Sequence, residues 1–314
     1  MPLEVLLFLI LGLVALFIGA EGLIRGSASL ALKIGITPLV VGLTVVAFGT
    51  STPELVVSIK AAIIGNSSIS LGNVVGSNIA NIALILGLAA VIRPLDIHAN
   101  VIRREIPIMI GLTVLLIVLL IDGELSFVDG LIFVLGIITY TVVNVLMARK
   151  EKNAEVEKEF KEGLKTKLSV PVSIIFIIGG LGLMILGANL FVTSSISIAK
   201  AIGVSDAIIG LTIVAVGTSL PELITSIVAA YKNESDIAIG NVVGSNIFNI
   251  LGILGITAIV IPLSSAGISY VDFGVMLFTA IILLPLSKTG FKISRLEGLS
   301  LVAGYMIYLY YLIP

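Results

Sequence analysis

Two similar stretches decide the fold of this chain, GLTVVAFGTSTPELVVS at residues 42–58 and GLTIVAVGTSLPELITS at residues 210–226. The similarity runs without a gap over 42–82 and 210–250, where about two thirds of the positions are identical. Glu54 thereby recurs as Glu222, at an offset of 168 residues. A match of this length at one fixed offset indicates an internal duplication.

The composition places this duplicated chain in a membrane. Hydrophobic residues make up 58% of it, charged residues only 12%, and the mean hydropathy is +1.22. A helix needs about 20 apolar residues to cross roughly 30 Å of hydrocarbon. The sequence therefore predicts an all-α membrane protein with ten transmembrane helices, near residues 3–24, 36–64, 70–92, 105–121, 126–147, 168–192, 203–231, 237–261, 267–286 and 296–313.

The basic residues predict how these helices are oriented. If the ten runs alternate, one side of the membrane receives sixteen of the 18 Lys and Arg residues and the other only Lys60 and Lys200. By the positive-inside rule both termini are predicted to be extracellular, in the cell membrane, and the charged linker 148–167 cytoplasmic. Because residue 4 is Glu, the first run lacks the basic start of a signal peptide, and we expect it to be a retained helix. The chain has no Cys, and its net charge of −1 gives no reason to expect nucleic acid.

The repeat predicts an inverted architecture. Five helices per copy give repeats at 1–147 and 168–314, joined by the linker 148–167. An odd number of crossings forces the second copy to enter the membrane from the opposite side. Such inverted five-helix repeats are typical of secondary transporters.

In each copy a proline interrupts a helix at mid-membrane depth. Pro53 lacks an N–H group and crowds the carbonyl of Gly49, and Pro221 does the same to Gly217. Helices 2 and 7 are therefore predicted to be broken. In hydrocarbon, carbonyl oxygens freed in this way need protein, water or a bound cation.

Helical spacing predicts which side chains share that region. Steps of three and four place on common faces Ala47, Thr50, Ser51, Glu54 and Ser58; Ala215, Thr218, Ser219, Glu222 and Ser226; Asn73, Ser77 and Asn81; and Asn241, Ser245 and Asn249. A charged carboxylate at the bilayer centre costs about 2.5 to 3.5 kcal/mol even on the lenient insertion scale, so two of them indicate a function. The glycines of GNVVGSN, Gly72 and Gly76 with Gly240 and Gly244, are expected to permit close helix packing.

The chemistry of these groups favours a hard cation. Carboxylate, hydroxyl, amide and main-chain oxygens suit Ca²⁺, Na⁺ or Mg²⁺, whereas transition metals favour His or Cys. The one histidine, His98, is expected to be a loop residue near the interface. Neither a Ser/His pair nor HExxH occurs within the spans, which argues against an enzyme. An ion channel, and a carrier of Mg²⁺, of Na⁺ alone or coupled to protons, remain alternatives.

The motifs GTSTPE at 49–54 and GTSLPE at 217–222, with GNVVGSN at 72–78 and 240–246, resemble the paired alpha repeats of the calcium/cation antiporter superfamily. The similarity is to its prokaryotic sodium/calcium exchanger branch. The resemblance implies antiport of Ca²⁺ and Na⁺ as transported substrates. Nothing in the sequence indicates a resident cofactor or an obligate protein partner, and we expect the chain to function as a monomer. It also implies that helices 1 and 6 slide across a central core.

The resemblance further implies a set of ion ligands. Calcium would be bound by Glu54 and Glu222 with the main-chain oxygens of Thr50 and Thr218. Sodium would use the Ala47 carbonyl, Ser51 and Ser245 on one side, and the Ala215 carbonyl, Ser219 and Ser77 on the other. Asn81 and Asn249 would complete the centre. Several relatives carry Asp where this chain has Asn249, which leaves the stoichiometry open, and the calcium/proton branch has GNxxE where this chain has GNVVGSN.

Overall fold

The computed structural model describes residues 3–34, 37–65, 67–150, 168–201 and 215–312, which form helices and four two-residue strands. The first half contains, in chain order, α1 (Leu3–Ile34), α2 (Pro38–Val41, the π-helix Gly42–Val46 and Ala47–Thr50), α3 (Thr52–Ile63), α4 (Ser67–Ala80, the π-helix Asn81–Leu86 and Gly87–Ile92), β1 (Leu95–Asp96), α5 (the π-helix Val101–Glu105, Ile106–Leu119 and the 3-10 turn Leu120–Asp122), β2 (Glu124–Leu125) and α6 (Phe127–Lys150). The second half contains α7 (Val170–Ala201), α8 (Ala215–Thr218), α9 (Leu220–Tyr231), α10 (Ser235–Phe248, the π-helix Asn249–Leu254 and Gly255–Val260), β3 (Leu263–Ser264), α11 (Tyr270–Lys288), β4 (Lys292–Ile293) and α12 (Arg295–Leu312). Most of the predicted linker 148–167 and the start of the run 203–231 lie outside the described residues.

The length and composition of these helices identify a helical membrane protein. Seven of the described helices are long and apolar enough to span a bilayer, and there are eight if the bent pair α2 and α3 forms one span. Helix α9 is a shorter apolar helix of 12 residues. Large apolar side chains on the outer helices are exposed, among them Leu135, Ile178 and Ile307. Exposed apolar surface of this extent fits contact with lipid.

The two helices that carry GNVVGSN form the centre of the bundle. In the most apolar part of α4, 72% of the residues are buried, and in α10 89%, against 22% to 33% for the other spans. In α10, a Cβ atom added to Gly244 would lie 2.7 Å from Cα of Leu43, so α10 packs directly on the backbone of α2. This contact confirms the close packing predicted for the second glycine pair.

Glycines also join the two longest helices, α1 and α7. A Cβ atom on Gly12 would lie 2.8 Å from the carbonyl oxygen of Gly187, and one on Gly180 would lie 2.6 Å from that of Gly19. Backbone carbonyls cannot move aside as side chains can, so these positions require glycine. Gly12 and Gly19 occupy the same repeat positions as Gly180 and Gly187, so the two contacts are equivalent.

Two short antiparallel strand pairs connect the halves at the ends of the helices. Leu95 of β1 pairs with Ile293 of β4, and Leu125 of β2 pairs with Leu263 of β3. All four side chains are fully buried. The offset of 168 residues converts one pair into the other, so each half contributes the same two strands to contacts with its counterpart.

Candidate cation site

The candidate site is built around two helix breaks. Helix α2 ends at Thr50, α3 begins at Thr52, and their axes differ by 44°. Ser51 lies between them with φ −85° and ψ 6°, and Ser219 has nearly the same conformation, φ −90° and ψ 9°, between α8 and α9. The predicted breaks at the GTSxPE motifs are thus confirmed at the same residue of each copy. Pro53 and Pro221 lie just inside the new helices, where a missing N–H group is tolerated.

Each break places a glutamate in the first turn of the helix that follows it. Glu54 and Glu222 are each 1% exposed. The positive end of a helix dipole favours a carboxylate at this position. This local field offsets part of the free energy needed to keep a charged group away from water.

The two glutamates are bonded across the repeat. Ser51 Oγ donates to Glu222 Oε1 at 2.8 Å, and Ser219 Oγ donates to Glu54 Oε1 at 3.1 Å. Each serine therefore stabilises the carboxylate of the other copy. Its sequence spacing places it on the same helical face as the glutamate of its own copy, which it does not bond. The spacing placed these four residues in one region, but it did not indicate this exchange of partners.

Asparagines of the central helices hold the broken segments in place. Asn241 Nδ2 donates to the Glu222 carbonyl at 3.2 Å and to Ser226 Oγ at 3.0 Å. In the first copy, Asn73 Nδ2 makes the same bonds, to the Glu54 carbonyl at 3.2 Å and to Ser58 Oγ at 3.0 Å. These bonds to the main-chain carbonyls of the glutamates fix the position of Glu54 along α4 and that of Glu222 along α10.

The threonine of the first break is also tied to the second copy. Thr50 Oγ1 lies 3.0 Å from Asn241 Oδ1, and it also reaches the carbonyls of Val46 and Ala47 at 3.1 and 3.3 Å. The Ala47 carbonyl additionally accepts the N–H of Ser51 at 3.0 Å. Asn241 Oδ1 is the nearest of the three acceptors, so this hydroxyl connects the first break to α10.

A second group of amides lies where the central helices become π-helices, which begin at Asn81 and Asn249. Asn249 Nδ2 donates to Ser77 Oγ and to Asn78 Oδ1, each at 3.0 Å. Asn81 Nδ2 donates to Asn246 Oδ1 at 3.1 Å. Single π-turns inside α-helices are frequent at functional sites.

Asn78 and Asn246 were missed by the reasoning from sequence. Both are buried, and both contact a predicted ligand of the opposite copy. A step of three separates Asn78 from Asn81, so helical periodicity contained a signal for this pair. The steps of four between Asn73, Ser77 and Asn81 instead predict a polar face that does not include Asn78.

Several buried oxygens of this region have no hydrogen-bond partner among the described residues. They are Glu54 Oε2, Glu222 Oε2, Asn81 Oδ1, Asn249 Oδ1 and Ser245 Oγ. Leaving a buried polar group unsatisfied costs about 1 to 3 kcal/mol, and more when the group is charged. Carboxylate, amide and hydroxyl oxygens are ligands of hard cations, and Ca²⁺ accepts six to eight oxygens in flexible geometry. The donor set therefore fits the transported cations expected from the sequence.

The remaining predicted residues lie close to this group. Thr218 immediately precedes the break at Ser219, and Ala215 begins the same short helix α8. Ser77 donates to the Val74 carbonyl at 3.1 Å and accepts from Asn249, so its hydroxyl already has two partners. The equivalent Ser245 hydroxyl has no partner among the described residues, which makes the two halves of the site unequal.

Transition-metal ligands are not part of this site. Within the described part of the chain, no three His, Cys, Asp or Glu side chains come together as a metal-binding group. His98 lies between β1 and α5, with Nε2 3.3 Å from Asp236 Oδ2 at the start of α10. The site thus consists of two carboxylates and neutral oxygens.

The two flanks of the site differ in size. Beside Ser51, the rings of Phe48 and Phe248 meet edge to face with centroids 5.0 Å apart. The equivalent positions beside Ser219 are Val216 and Ala80. There the structure has a small pocket, with room for about one water molecule, lined by Ala80, Leu84, Ile85, Val216, Ser219 and Leu223. The equivalent of Leu84 is Gly252, where a Cβ atom would lie 2.5 Å from the ring of Phe248. One flank is therefore filled by an aromatic pair, and the other has a small pocket in its place.

Comparison with known proteins supports one family. The family model described as sodium/calcium exchanger protein matches residues 4–146 and 172–313. The putative antiporter CaxA of Alkalimonas amylolytica is 37% identical over 315 residues, 98% of each chain, and the sodium/calcium exchanger MaX1 of Methanosarcina acetivorans is 36% identical over 96% of this chain and 97% of its own. The solved structure of the sodium-calcium exchanger NCX_Mj soaked with zero Na⁺ and Ca²⁺ matches with a TM-score of 0.86 at 33% identity, over 99% of this chain and 100% of that one. Since the family match covers both copies of the repeat, together with their helix breaks and GNVVGSN segments, this chain belongs to the sodium/calcium exchanger protein family.

Proposed function

We propose that this chain exchanges Na⁺ for Ca²⁺ across the cell membrane by alternating access to one site between Glu54 and Glu222. One observation carries the proposal. Two fully buried carboxylates from opposite copies each have one oxygen held by a serine of the other copy and one oxygen without a hydrogen-bond partner among the described residues. Two negative charges match the charge of one Ca²⁺.

The proposed ligands follow the pattern implied by the family. Calcium is bound by the carboxylates of Glu54 and Glu222 with the main-chain oxygens of Thr50 and Thr218. Sodium is bound on one side by the Ala47 carbonyl, Ser51 and Ser245, and on the other by the Ala215 carbonyl, Ser219 and Ser77, with Asn81 and Asn249 at the centre. The Ser245 hydroxyl, which has no hydrogen-bond partner among the described residues, supports the first sodium position. Ser77 Oγ donates once and accepts once, so one lone pair of its oxygen is left to serve the second.

Electrostatics explain why exchange is obligatory. A carrier with an empty site would have to move two uncompensated negative charges through a low-dielectric seal. Either Ca²⁺ or Na⁺ ions remove that penalty, and they compete for the same carboxylates. Any ratio other than two Na⁺ for one Ca²⁺ moves net charge and makes the exchange sensitive to membrane voltage.

The proposed architecture is ten helices in two inverted repeats, at 1–147 and 168–314. Reciprocal contacts support it, because the offset of 168 residues converts each into its partner. This holds for the serine–glutamate bonds, for the strand pairs β1–β4 and β2–β3, and for the glycine contacts between α1 and α7. A two-fold relation between the copies produces this reciprocity. The site is also complete within one chain, which supports function as a monomer without an obligate protein partner.

The proposed orientation has both termini outside and the linker 148–167 in the cytoplasm. The absence of Cys from the chain allows a direct test with single-cysteine variants. A membrane-impermeant maleimide added to intact cells is expected to label Ser67→Cys, at the first residue of α4, and to leave Ala154→Cys in the linker unlabelled until the cells are opened. The reverse labelling pattern would show the opposite orientation.

The function is tested by ion flux in proteoliposomes. Vesicles loaded with Na⁺ and diluted into Na⁺-free medium are expected to take up ⁴⁵Ca²⁺, and the uptake should disappear when K⁺ replaces internal Na⁺ at constant pH. Uptake that is unchanged without internal Na⁺ would refute sodium exchange. Uptake driven by a pH gradient alone would identify proton coupling, and single-channel currents would identify a channel.

A further inference from the structure

Asn78 and Asn246 lie behind the proposed ligands Asn249 and Asn81, and neither belongs to the ligand set given above. Both are almost fully buried, at 2% and 1% exposure. Asn78 Oδ1 accepts the Nδ2 group of Asn249 at 3.0 Å, and Asn246 Oδ1 accepts that of Asn81 at 3.1 Å. The two bonds are equivalent under the repeat, and each crosses from one copy to the other.

The direction of these bonds matters because a side-chain amide has two chemically opposite ends. Its oxygen is an acceptor that can bind a cation, whereas its NH₂ group is a donor that repels one. Both ends have nearly the same shape, so packing alone does not determine which end faces the ion. An acceptor placed behind the NH₂ group does determine it, and the oxygens of Asn81 and Asn249 are the ends left without a hydrogen-bond partner among the described residues.

The orientation of Asn78 itself is determined by the main chain. Its Nδ2 donates to the carbonyl oxygen of Asn246 at 3.3 Å. A main-chain carbonyl only accepts, so reversing the amide of Asn78 would place two oxygens against each other and lose this bond. Asn246 Nδ2 is less firmly held, because its contact at 3.4 Å is to Sδ of Met109, a weak acceptor. The Asn78–Asn249 pair is therefore the more rigid of the two.

We propose that Asn78 and Asn246 are positioning residues that orient the amides of Asn249 and Asn81 with their oxygens toward the transported cation. Asn78 shares this role with Ser77 Oγ, which accepts the same NH₂ group of Asn249 at 3.0 Å. The inference rests on the proposed function, because it assumes that the cation binds between the two copies. The proposed ligands do not by themselves include the groups that orient their amides. An amide at position 249 needs an acceptor behind it, whereas a carboxylate presents an oxygen in either orientation.

This difference between amide and carboxylate allows a double-mutant test. Asn78→Leu keeps approximately the volume of the side chain but removes the acceptor, and we expect Ca²⁺ binding about three- to tenfold weaker, as for the loss of one hydrogen bond. In the background of Asn249→Asp the same Asn78→Leu change is expected to have much less effect, because no amide remains to be oriented. The readout is the Ca²⁺ concentration that gives half-maximal thermal stabilisation of the purified protein, checked by ⁴⁵Ca²⁺ flux.

Asn73→Leu provides the matched control on the same helix. Asn73 bonds the Glu54 carbonyl and Ser58, so its loss should weaken binding equally with Asn or Asp at position 249. If Asn78→Leu behaves like this control, or leaves Ca²⁺ binding unchanged, the positioning role is refuted. The mirror pair, Asn246→Leu with Asn81→Asp, provides the same test if Asn78→Leu does not yield folded protein. Failure of the wild-type protein to bind or transport Ca²⁺ would instead refute the proposed function.

Discussion

The hydroxyl of Ser51 donates a 2.8 Å hydrogen bond to Oε1 of Glu222, a residue of the other copy of the repeat. Ser219 and Glu54 make the reciprocal bond at 3.1 Å. The turn that breaks one helix thus provides the donor for the carboxylate that follows the other break. A change at either break should therefore alter the carboxylate of the opposite copy, and this coupling underlies the first two predictions.

Glu54→Gln and Glu222→Gln are each expected to abolish sodium-dependent ⁴⁵Ca²⁺ uptake. The substitution removes one negative charge and replaces one of the two carboxylate oxygens with a donor group. Glu105→Gln is the matched control, since Glu105 is also buried but accepts a 2.6 Å bond from Tyr140 and is not one of the proposed ligands. Uptake in proteoliposomes of equal protein content, with gel filtration to verify folding, checks the prediction. Wild-type uptake by either site variant would contradict the site.

Ser51→Ala is expected to weaken Ca²⁺ binding about tenfold or more, because a hydrogen bond to a charged group is worth about 1.5 to 3 kcal/mol. Without the donor, the ionised form of Glu222 is less stable in its buried position. Ser219→Ala should act similarly on Glu54. Thr52→Ala is the control, because the Thr52 hydroxyl bonds the Phe48 carbonyl 2.9 Å away. The measurement is the Ca²⁺ concentration for half-maximal uptake, and equal values for Ser51→Ala and Thr52→Ala would argue against the serine–carboxylate bond.

Gly180→Ala is expected to destabilise the protein by about 1 to 3 kcal/mol, the usual range for overpacking. The new methyl group would lie 2.6 Å from the Gly19 carbonyl oxygen and force α1 away from α7. The adjacent Gly179 is exposed, with no described atom within 4 Å of an added Cβ, so Gly179→Ala should be neutral or stabilising. Melting temperatures in detergent test this pair, and similar values for the two variants would show that α1 and α7 are not in direct backbone contact.

The Phe48–Phe248 contact is expected to restrict access to the site from the Ser51 flank. The chain contains no Cys, so Ser51→Cys and Ser219→Cys can be compared without background reaction. We expect a small water-soluble thiol reagent to modify Ser219→Cys faster, because Ser219 lines a pocket that no aromatic pair fills. Replacing the aromatic pair with its smaller counterparts, Phe48→Val and Phe248→Ala, should accelerate modification of Ser51→Cys. Equal rates at both serines in the parent chain would contradict a closed Ser51 flank.

Local chemistry explains what could be predicted from the sequence. Composition alone places the chain in a membrane, and proline removes a donor wherever it stands, so the breaks at Ser51 and Ser219 followed from Pro53 and Pro221 without any knowledge of packing. The internal duplication can be detected in the sequence because its two copies align without a gap. The offset between Glu54 and Glu222 then marked them as equivalent residues.

Only the tertiary structure decided which groups meet across the copies. Ser51 and Glu54 share a helical face, yet Ser51 bonds Glu222, because contacts between residues more than 160 positions apart depend on how helices pack. The same packing brings Asn78 into contact with Asn249 and the ring of Phe48 into contact with that of Phe248. Helical periodicity determines the face on which a side chain lies. The neighbour it meets there depends on how helices pack, as in the close approach of α2 and α10 at Gly244, and such contacts exist only in the folded chain.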